Sequence, residues 1–194
     1  LAGIAHNGGT PILPIYSTFL QRAYDQIIND LCINNSNALI LVYRASIYGN
    51  KDMTHLGFND ITMLSNMPNL MYLAPTTVEE LESSIRYGVE HHTHPIAIRI
   101  PVGSPIYETS QSNTTECPVT SCNITQSGNT IAIIGVGNFY HKAVELSHAI
   151  HDAIHISPTL VKPLCISSLD TDTLNELTKD HNIVITLEDG ELEG

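Results

Sequence analysis

Short apolar runs alternate with segments of helical periodicity along this chain, and this alternation limits the possible folds more than any other feature. The strand-like runs of the first half cover residues 11–15, 38–43, 70–73 and 96–100. The second half continues with strands at 130–134, 159–161 and 182–187 and with helices at 139–151 and 171–180. Apolar strands separated by helices indicate a parallel sheet that is covered on both faces. The sequence therefore predicts an α/β fold: a mostly parallel sheet with helices on both faces, followed by a second, smaller α/β domain.

Two stretches of the first half carry clear helix signals. In residues 18–32, apolar side chains recur at four-residue spacing, which predicts one amphipathic helix. These side chains are Phe19, Ala23, Ile27 and Leu31. Further along, Thr76 and Thr77 are each followed three residues later by a glutamate. This spacing is typical of a capping box, so we expect a helix to begin here and to run to about Tyr87.

Residues 103–128 interrupt the alternation of strands and helices. This stretch is rich in Ser, Thr, Asn, Pro and Gln and has little apolar periodicity, which is typical of an exposed connection. The sequence therefore predicts two domains, at residues 1–103 and 129–194, joined by a linker at 104–128. We expect the second domain to be incomplete, because the chain stops directly after its last predicted strand.

The charge balance excludes two classes of partner. The chain has 194 residues, with 8 Lys+Arg against 20 Asp+Glu and a formal net charge of −12. Such a surface repels phosphate backbones and anionic lipids, so we expect neither a nucleic acid nor a membrane as partner. The sequence also has no apolar run long enough to span a bilayer and no secretory signal pattern at its start. We therefore expect a soluble, cytoplasmic protein.

Three further motifs are weak signals for a bound group. The turn "GVGN" lacks the third glycine of a dinucleotide fingerprint, since Tyr140 stands in its place, and a plain strand-to-helix turn is favoured. The pair Cys117 and Cys122 has no second cysteine pair beside it, which favours free thiols over a metal site. Two histidine clusters lack a nearby carboxylate motif, so surface histidines are favoured over zinc ligands. The clusters are His91, His92 and His94, and His148, His151 and His155.

Residues with useful chemistry follow several of the predicted strands. Tyr16 and Phe19 follow the strand at 11–15, Arg44 and His55 follow the strand at 38–43, and Arg99 lies near the end of the strand at 96–100. The carboxyl ends of parallel strands meet at one edge of a sheet, which is where open α/β sheets bind ligands. We therefore expect these side chains to lie at one edge.

The mixture of side chains at that edge suits a pocket for a cofactor and a substrate. Aromatic rings offer flat faces to a heteroaromatic ring, arginine offers a fork to a phosphate or carboxylate, and histidine exchanges a proton near neutral pH. Periodicity alone supports a purely structural interpretation equally well. In that alternative Phe19 is part of the core, Arg22 lies on a solvated helix face and Arg44 forms an ion pair at a strand end.

Several strings carry a family resemblance. The segment "IYSTFLQRAYDQIIND" closely resembles a segment that marks the 1-deoxy-D-xylulose-5-phosphate synthases, thiamine-diphosphate enzymes of the transketolase superfamily. Other similar pieces follow in the family's order: "YRASIYGNKDMTHLGFND", "MPNLMYLAPTTVEEL", "AIRIPVG" and "IVITLEDGELEG". The resemblance implies that residues 1–103 are most of a pyrimidine-binding domain and that 129–194 begin a transketolase C-terminal-like domain. It also implies a homodimer.

The resemblance implies roles for six residues and an activity for the whole enzyme. Tyr16 and Phe19 would line the aminopyrimidine of thiamine diphosphate and Arg22 would support them. His55 would be catalytic, and Arg44 and Arg99 would bind the phosphate of the substrate. The family condenses pyruvate with D-glyceraldehyde 3-phosphate and releases CO2. The product, 1-deoxy-D-xylulose 5-phosphate, is a precursor of isoprenoids and thiamine. Mg²⁺ would bind through an amino-terminal domain that this sequence lacks, and the chain's own residues would hold no metal.

The sequence also departs from the family pattern. The family's activating glutamate lies just upstream of the segment that matches residues 1–5, so we expect the chain alone to be inactive. Lys51, with Asp52 one position later, stands where the loop aspartate is expected, and Val102 replaces a second arginine. These changes leave two alternatives open. One is a transketolase-superfamily enzyme with a different acceptor, and the other is a diverged, non-catalytic partner subunit.

Overall fold

The computed structural model describes residues 1–47, 53–90, 93–100 and 122–191. Over these residues the chain forms two four-stranded sheets, each packed against helices. The first sheet is entirely parallel and the second is parallel except for one strand. The predicted fold class, two successive α/β units with mostly parallel sheets, is confirmed.

The first sheet aligns the carboxyl ends of its strands. Its strands are β1 Ile12–Tyr16, β2 Leu39–Tyr43, β3 Met71–Leu73 and β4 Ile96–Ile100, in the order β1-β2-β4-β3. The register pairs Tyr16 with Tyr43 and Tyr43 with Ile100, so β1, β2 and β4 end level with one another. The inner strands β2 and β4 consist almost wholly of Leu, Ile, Val and Ala because both of their faces are buried.

Three regular helices flank this sheet, at α1 Ala2–His6, α4 Asp60–Ser65 and α5 Val78–Glu90. The predicted capping box starts α5: the Glu80 N–H donates to Thr77 Oγ1 at 3.1 Å, and the Glu80 carboxylate accepts from the Thr76 N–H at 2.8 Å. These bonds satisfy amide donors that a helix start leaves without an intrahelical partner. The helix ends at Glu90, beyond the predicted end at Tyr87.

The segment after β1 is not the single uniform helix that the sequence predicts. It runs as α2 Ser17–Leu20, a 3₁₀ turn at Gln21–Ala23, α3 Tyr24–Gln26 and a π-helical stretch at Ile27–Cys32. Each change in residues per turn rotates the side chains about the helix axis. As a result Leu20 joins Ile27 and Leu31 in the core, whereas the side chain of Phe19 leaves the predicted apolar stripe and is 41% exposed.

The second unit contains β5 Cys122–Gln126, β6 Thr130–Gly135, β7 Thr159–Pro163 and β8 His181–Leu187, in the order β5-β7-β6-β8. Its helices are α6 Tyr140–Ile154 and α7 Thr171–Asp180. Strand β5 lies within the predicted linker at 104–128, so residues 122–126 belong to this sheet. The strand is an edge strand with mostly exposed side chains, so its composition is that of a loop. Residues 104–121 lie outside the described part of the chain.

The two units contact each other at the carboxyl end of β3. The backbone of Leu73 forms an antiparallel bridge with Cys165, flanked by hydrogen bonds from the Ala74 N–H to the Leu164 carbonyl and from the Ile166 N–H to the Tyr72 carbonyl, each 2.8 Å long. This seam fixes the second sheet beside the edge at which the first sheet's strands end. Among the residues described, no helix has the length and apolarity that crossing a membrane requires.

Candidate functional site

Two aromatic rings lie side by side at the carboxyl end of β1. Tyr16 closes the strand with extended backbone and precedes α2, whose first turn carries Phe19. The ring centroids are 5.6 Å apart and the ring planes differ by 27°, which is a stacked arrangement. Both side chains are about two-fifths exposed, at 38% for Tyr16 and 41% for Phe19. Two nearly parallel, accessible rings offer a surface on which a flat heteroaromatic group can pack.

His55 joins these rings from a different part of the chain. It ends the 3₁₀ turn Met53–His55, and its ring centroid lies 5.4 Å from that of Phe19 and 6.3 Å from that of Tyr16. The imidazole is nearly perpendicular to both rings, at 74° and 82°, so it packs edge-on against them. Its Nδ1 is 2.8 Å from the Thr54 hydroxyl, a contact that orients the imidazole.

Two arginines extend the same surface. The Cζ atom of Arg44 lies 4.7 Å from the Tyr16 ring centroid, and that of Arg22 lies 6.0 Å from the Phe19 ring centroid. Both distances are within the range of cation–π attraction. The structure thus brings together Tyr16, Phe19, Arg22, Arg44 and His55, and we call these five residues the aromatic wall.

A short backbone bridge holds the two loop residues of the aromatic wall in place. Ser46 lies two residues after Arg44 and Gly57 lies two residues after His55. The Ser46 N–H donates to the Gly57 carbonyl at 2.7 Å, and the Gly57 N–H donates to the Ser46 carbonyl at 3.3 Å. A Cβ atom at position 57 would lie 2.0 Å from the Arg44 carbonyl oxygen, so only glycine permits this approach. Arg44 itself has a φ of 54°, a left-handed conformation that costs a non-glycine residue energy and that the bridge helps to maintain.

Arg99 does not share the position of the other predicted site residues. Its side chain is 2% exposed, its Nε donates to Asp60 Oδ2 at 2.7 Å and its Nη1 donates to Asp189 Oδ1 at 2.7 Å. The guanidinium of Arg99 is turned into the protein and pairs with carboxylates, and substrate binding by Arg99 stays a prediction. Burial alone would lower the pKa of Arg99, but the Asp60 and Asp189 charges outweigh burial and raise that pKa above its ordinary value.

The partners of Arg99 form a buried polar cluster. The Tyr72 hydroxyl donates to Asp60 Oδ2, and burial, reinforced by the neighbouring Asp60 charge, raises the pKa of Tyr72 well above its ordinary value. The hydroxyl therefore remains a donor throughout the physiological pH range. Asp60, Asn138 and Asp189 were not singled out from the sequence. One signal pointed to them, since an arginine inside the apolar strand "IAIRI" requires buried carboxylate partners.

The remaining sequence signals do not converge on this site. His148, His151 and His155 lie exposed along or just beyond α6. Among the described residues, no group of three or more His, Cys, Asp or Glu side chains is placed to hold a metal ion. Cys32, Cys122 and Cys165 are free thiols, and burial raises the pKa of Cys32 to about 11. Six residues named above lie outside the described residues: Lys51, Asp52, His91, His92, Val102 and Cys117.

Comparisons with known proteins cover almost the whole chain. Residues 1–105 match the family model "Transketolase, pyrimidine binding domain" and residues 120–194 match "Transketolase, C-terminal domain". The 1-deoxy-D-xylulose-5-phosphate synthase of Alkaliphilus oremlandii is 38% identical over 189 residues, which are 97% of this chain and 30% of that protein. The enzyme of the same name from Gloeothece citriformis is 37% identical over 197 residues, which are 100% of this chain and again 30% of the relative. The chain thus spans about a third of the length of these relatives.

Two solved structures share the fold. One is described as a split gene transketolase in an inactive beta4 tetramer, with a TM-score of 0.84 and 21% sequence identity over 97% of this chain and 60% of that chain. The other is a transketolase mutant from Pichia stipitis, with a TM-score of 0.76 and 13% identity over 91% of this chain and 26% of that chain. These two structures share the fold, and the matched family models give the family assignment. The chain belongs to the transketolase family, with a pyrimidine-binding domain followed by a C-terminal domain.

Proposed function

We propose that this chain is the pyrimidine-binding and C-terminal part of a 1-deoxy-D-xylulose-5-phosphate synthase. The whole enzyme would condense pyruvate with D-glyceraldehyde 3-phosphate to 1-deoxy-D-xylulose 5-phosphate and CO2. The observation that carries this proposal is the aromatic wall at the carboxyl edge of the first sheet, in a chain that is similar from end to end to synthases of that name. The proposed first domain remains residues 1–103, and the second begins at β5 instead of at residue 129, which shortens the linker to residues 104–121.

The aromatic wall fits the aminopyrimidine ring of thiamine diphosphate. Tyr16 and Phe19 present two nearly parallel, partly exposed rings, which is what packing against a flat heteroaromatic group requires. Arg22 would support the outer side of Phe19. When bound, this cofactor supplies the electron sink for decarboxylation of a 2-oxo acid. Its diphosphate and Mg²⁺ would be held by a further domain of the whole enzyme, as the family resemblance implies.

His55 and Arg44 would serve the substrates. The His55 imidazole lies against the rings that would hold the cofactor, so it can hold or move a proton at a substrate oxygen beside them. Arg44, only partly buried and stacked on Tyr16, is suited to the phosphate of the aldehyde substrate. Arg99 is assigned a structural role instead. Phosphate recognition among the described residues therefore depends on Arg44.

The assembly of the enzyme is also part of the proposal. We expect the whole protein to work as a homodimer, as the family resemblance implies, and we expect it to be cytoplasmic. The split gene transketolase, described as inactive in its beta4 form, suggests a second arrangement in which a chain of this kind requires a separately encoded partner. In either case the chain alone is expected to be inactive.

A carbon-balance assay tests the proposed reaction. Full-length protein containing this chain, or its complex with a separately encoded partner, is supplied with thiamine diphosphate, Mg²⁺ and pyruvate labelled at C2. We expect labelled 1-deoxy-D-xylulose 5-phosphate and one CO2 per product when D-glyceraldehyde 3-phosphate is the acceptor. Turnover only with another acceptor, such as a pentose phosphate or lipoamide, would support a different transketolase-superfamily enzyme. Absence of CO2 release from pyruvate, together with absence of two-carbon transfer from a ketose phosphate, would indicate a non-catalytic subunit.

A further inference from the structure

A buried polar network connects the second domain to the Ser46–Gly57 bridge, which holds two residues of the aromatic wall in place. Two side chains of the second domain take part. Asn138 lies in the 3₁₀ turn Gly137–Phe139 after β6, and Asp189 follows β8. Both contact the Nη1 atom of Arg99, Asp189 Oδ1 at 2.7 Å and Asn138 Oδ1 at 3.4 Å. Arg99 belongs to the first domain, so the network crosses the domain boundary.

The same network reaches both strands of the Ser46–Gly57 bridge. Asn138 Nδ2 donates to the Ser46 hydroxyl at 3.0 Å, and Arg99 Nη2 donates to the Gly57 carbonyl at 3.4 Å. Asp60 completes the cluster by accepting from Arg99 Nε at 2.7 Å. The second domain thus touches Ser46 directly and touches Gly57 through Arg99.

Burial makes the members of this network depend on one another for their hydrogen-bond partners. The side chains of Ser46, Asp60, Arg99, Asn138 and Asp189 are at most 6% exposed. In such surroundings charge-assisted hydrogen bonds are strong, and loss of one partner leaves the others uncompensated. A buried ion pair is weak evidence for added stability, but it is well suited to selecting one geometry over others.

We propose that Asn138 and Asp189 of the C-terminal domain are positioning residues for the aromatic wall. They act through Arg99 and the Ser46–Gly57 bridge to fix the loop ends that present Arg44 and His55. The functional meaning of this role rests on the proposed function of the wall, but the positioning itself is a property of the chain and can be measured without turnover.

Amide hydrogen exchange of the 194-residue chain tests the proposal, because it reports local opening residue by residue. The test variants are Asn138→Ala, which removes the contact to Ser46, and Asp189→Asn, which removes the charge opposite Arg99. We expect exchange of the Ser46 and Gly57 amides to accelerate about tenfold in each variant. The amides of Leu41 and Ile98, in the centre of the first sheet, should keep their protection.

A matched control separates positioning from general loss of packing. Gln126 also carries a partly buried side-chain amide, but that amide donates to Ser147 and to the Pro158 carbonyl, both within the second domain. Gln126→Ala should leave exchange at Ser46 and Gly57 unchanged. Unchanged exchange of these two amides in Asn138→Ala and Asp189→Asn would overturn the proposal. So would equal acceleration across Leu41 and Ile98, since that pattern reports only a weaker fold.

Discussion

At the scale of single residues, three arginines show how environment determines the role of a side chain. Arg22 and Arg44 lie beside aromatic rings at an accessible edge, whereas Arg99 is enclosed in β4 and pairs with two carboxylates. From the sequence, Arg44 and Arg99 looked alike, because each lies near the end of an apolar strand. The difference arises because the partners of Arg99 come from distant segments, at Asp60 and Asp189, which only the tertiary structure brings together.

Replacement of Arg99 should destabilise the chain far more than replacement of Arg22. Arg99→Leu leaves two buried carboxylates without their cation, and removal of one partner from a buried pair costs about 3–5 kcal/mol. Arg22→Leu changes an exposed side chain and should alter the free energy of unfolding by about 0.5 kcal/mol or less. Urea unfolding of both variants measures the difference. Similar losses would contradict the assignment of Arg99 as a buried anchor.

At the scale of elements, the sequence predicts most strands because their signal is local. Apolar runs bounded by turns locate β1 to β4 and β6 to β8 within about two residues, and the Thr77–Glu80 spacing locates the start of α5. Two elements cannot be predicted from local pattern. Strand β5 is an exposed edge strand held in place by β7, and the helix after β1 changes its winding where Leu20 and Ile27 pack into the core. Tertiary contacts, rather than local pattern, determine both.

The same distinction between local pattern and tertiary contacts applies to the candidate site. The parallel order of β1, β2 and β4 is enough to place Tyr16, Phe19, Arg44 and His55 at one edge, and this grouping could be inferred from the sequence. The exposure of Phe19 could not, because it depends on the irregular winding after α2. The buried cluster around Arg99 could not be inferred either, since two of its members belong to the second domain.

Helix α7 provides an element-scale prediction with a defined pH dependence. Asp170 caps this helix by accepting from the Thr173 hydroxyl and N–H, and it also accepts from the Cys122 N–H at 2.7 Å. These bonds lower the pKa of Asp170, those from Thr173 most strongly. Asp170→Ala should reduce the free energy of unfolding at pH 7 by about 1 kcal/mol.

The stabilisation by Asp170 should depend on pH in one direction. A carboxylate whose pKa is lowered by folding stabilises the fold fully above its ordinary pKa, and this contribution is lost as the pH falls through the lowered value. The difference between wild type and Asp170→Ala should therefore shrink in acid. Asp172 is an exposed acidic residue in the same first turn. Asp172→Ala should therefore reduce the free energy of unfolding at pH 7 by less than Asp170→Ala does. If the loss of unfolding free energy in Asp170→Ala grew as the pH falls, this account would be contradicted.

At the scale of the whole molecule, the two domains are joined by more than the chain that connects them. The Leu73–Cys165 backbone bridge, the Arg99 cluster and an ion pair between Glu80 of α5 and Lys162 of β7 all cross the boundary. Lys162 is 6% exposed and also lies 5.5 Å from the Tyr140 ring centroid. These contacts set the second domain against the edge that carries the aromatic wall, so the C-terminal domain contributes to the site without supplying a side chain to the wall itself.

The central claim, that the aromatic wall holds the aminopyrimidine of thiamine diphosphate, is tested most directly by cofactor affinity. Phe19 and Tyr24 form a matched pair, since both are aromatic, lie in the segment after β1 and are exposed to 41% and 38%. In full-length protein or its complex, calorimetric titration should give a thiamine diphosphate Kd about tenfold higher for Phe19→Ala, the loss expected when a ring contact is removed. Tyr24→Ala should bind as wild type does. Equal affinity in both variants, with the fold intact by circular dichroism, would contradict the claim.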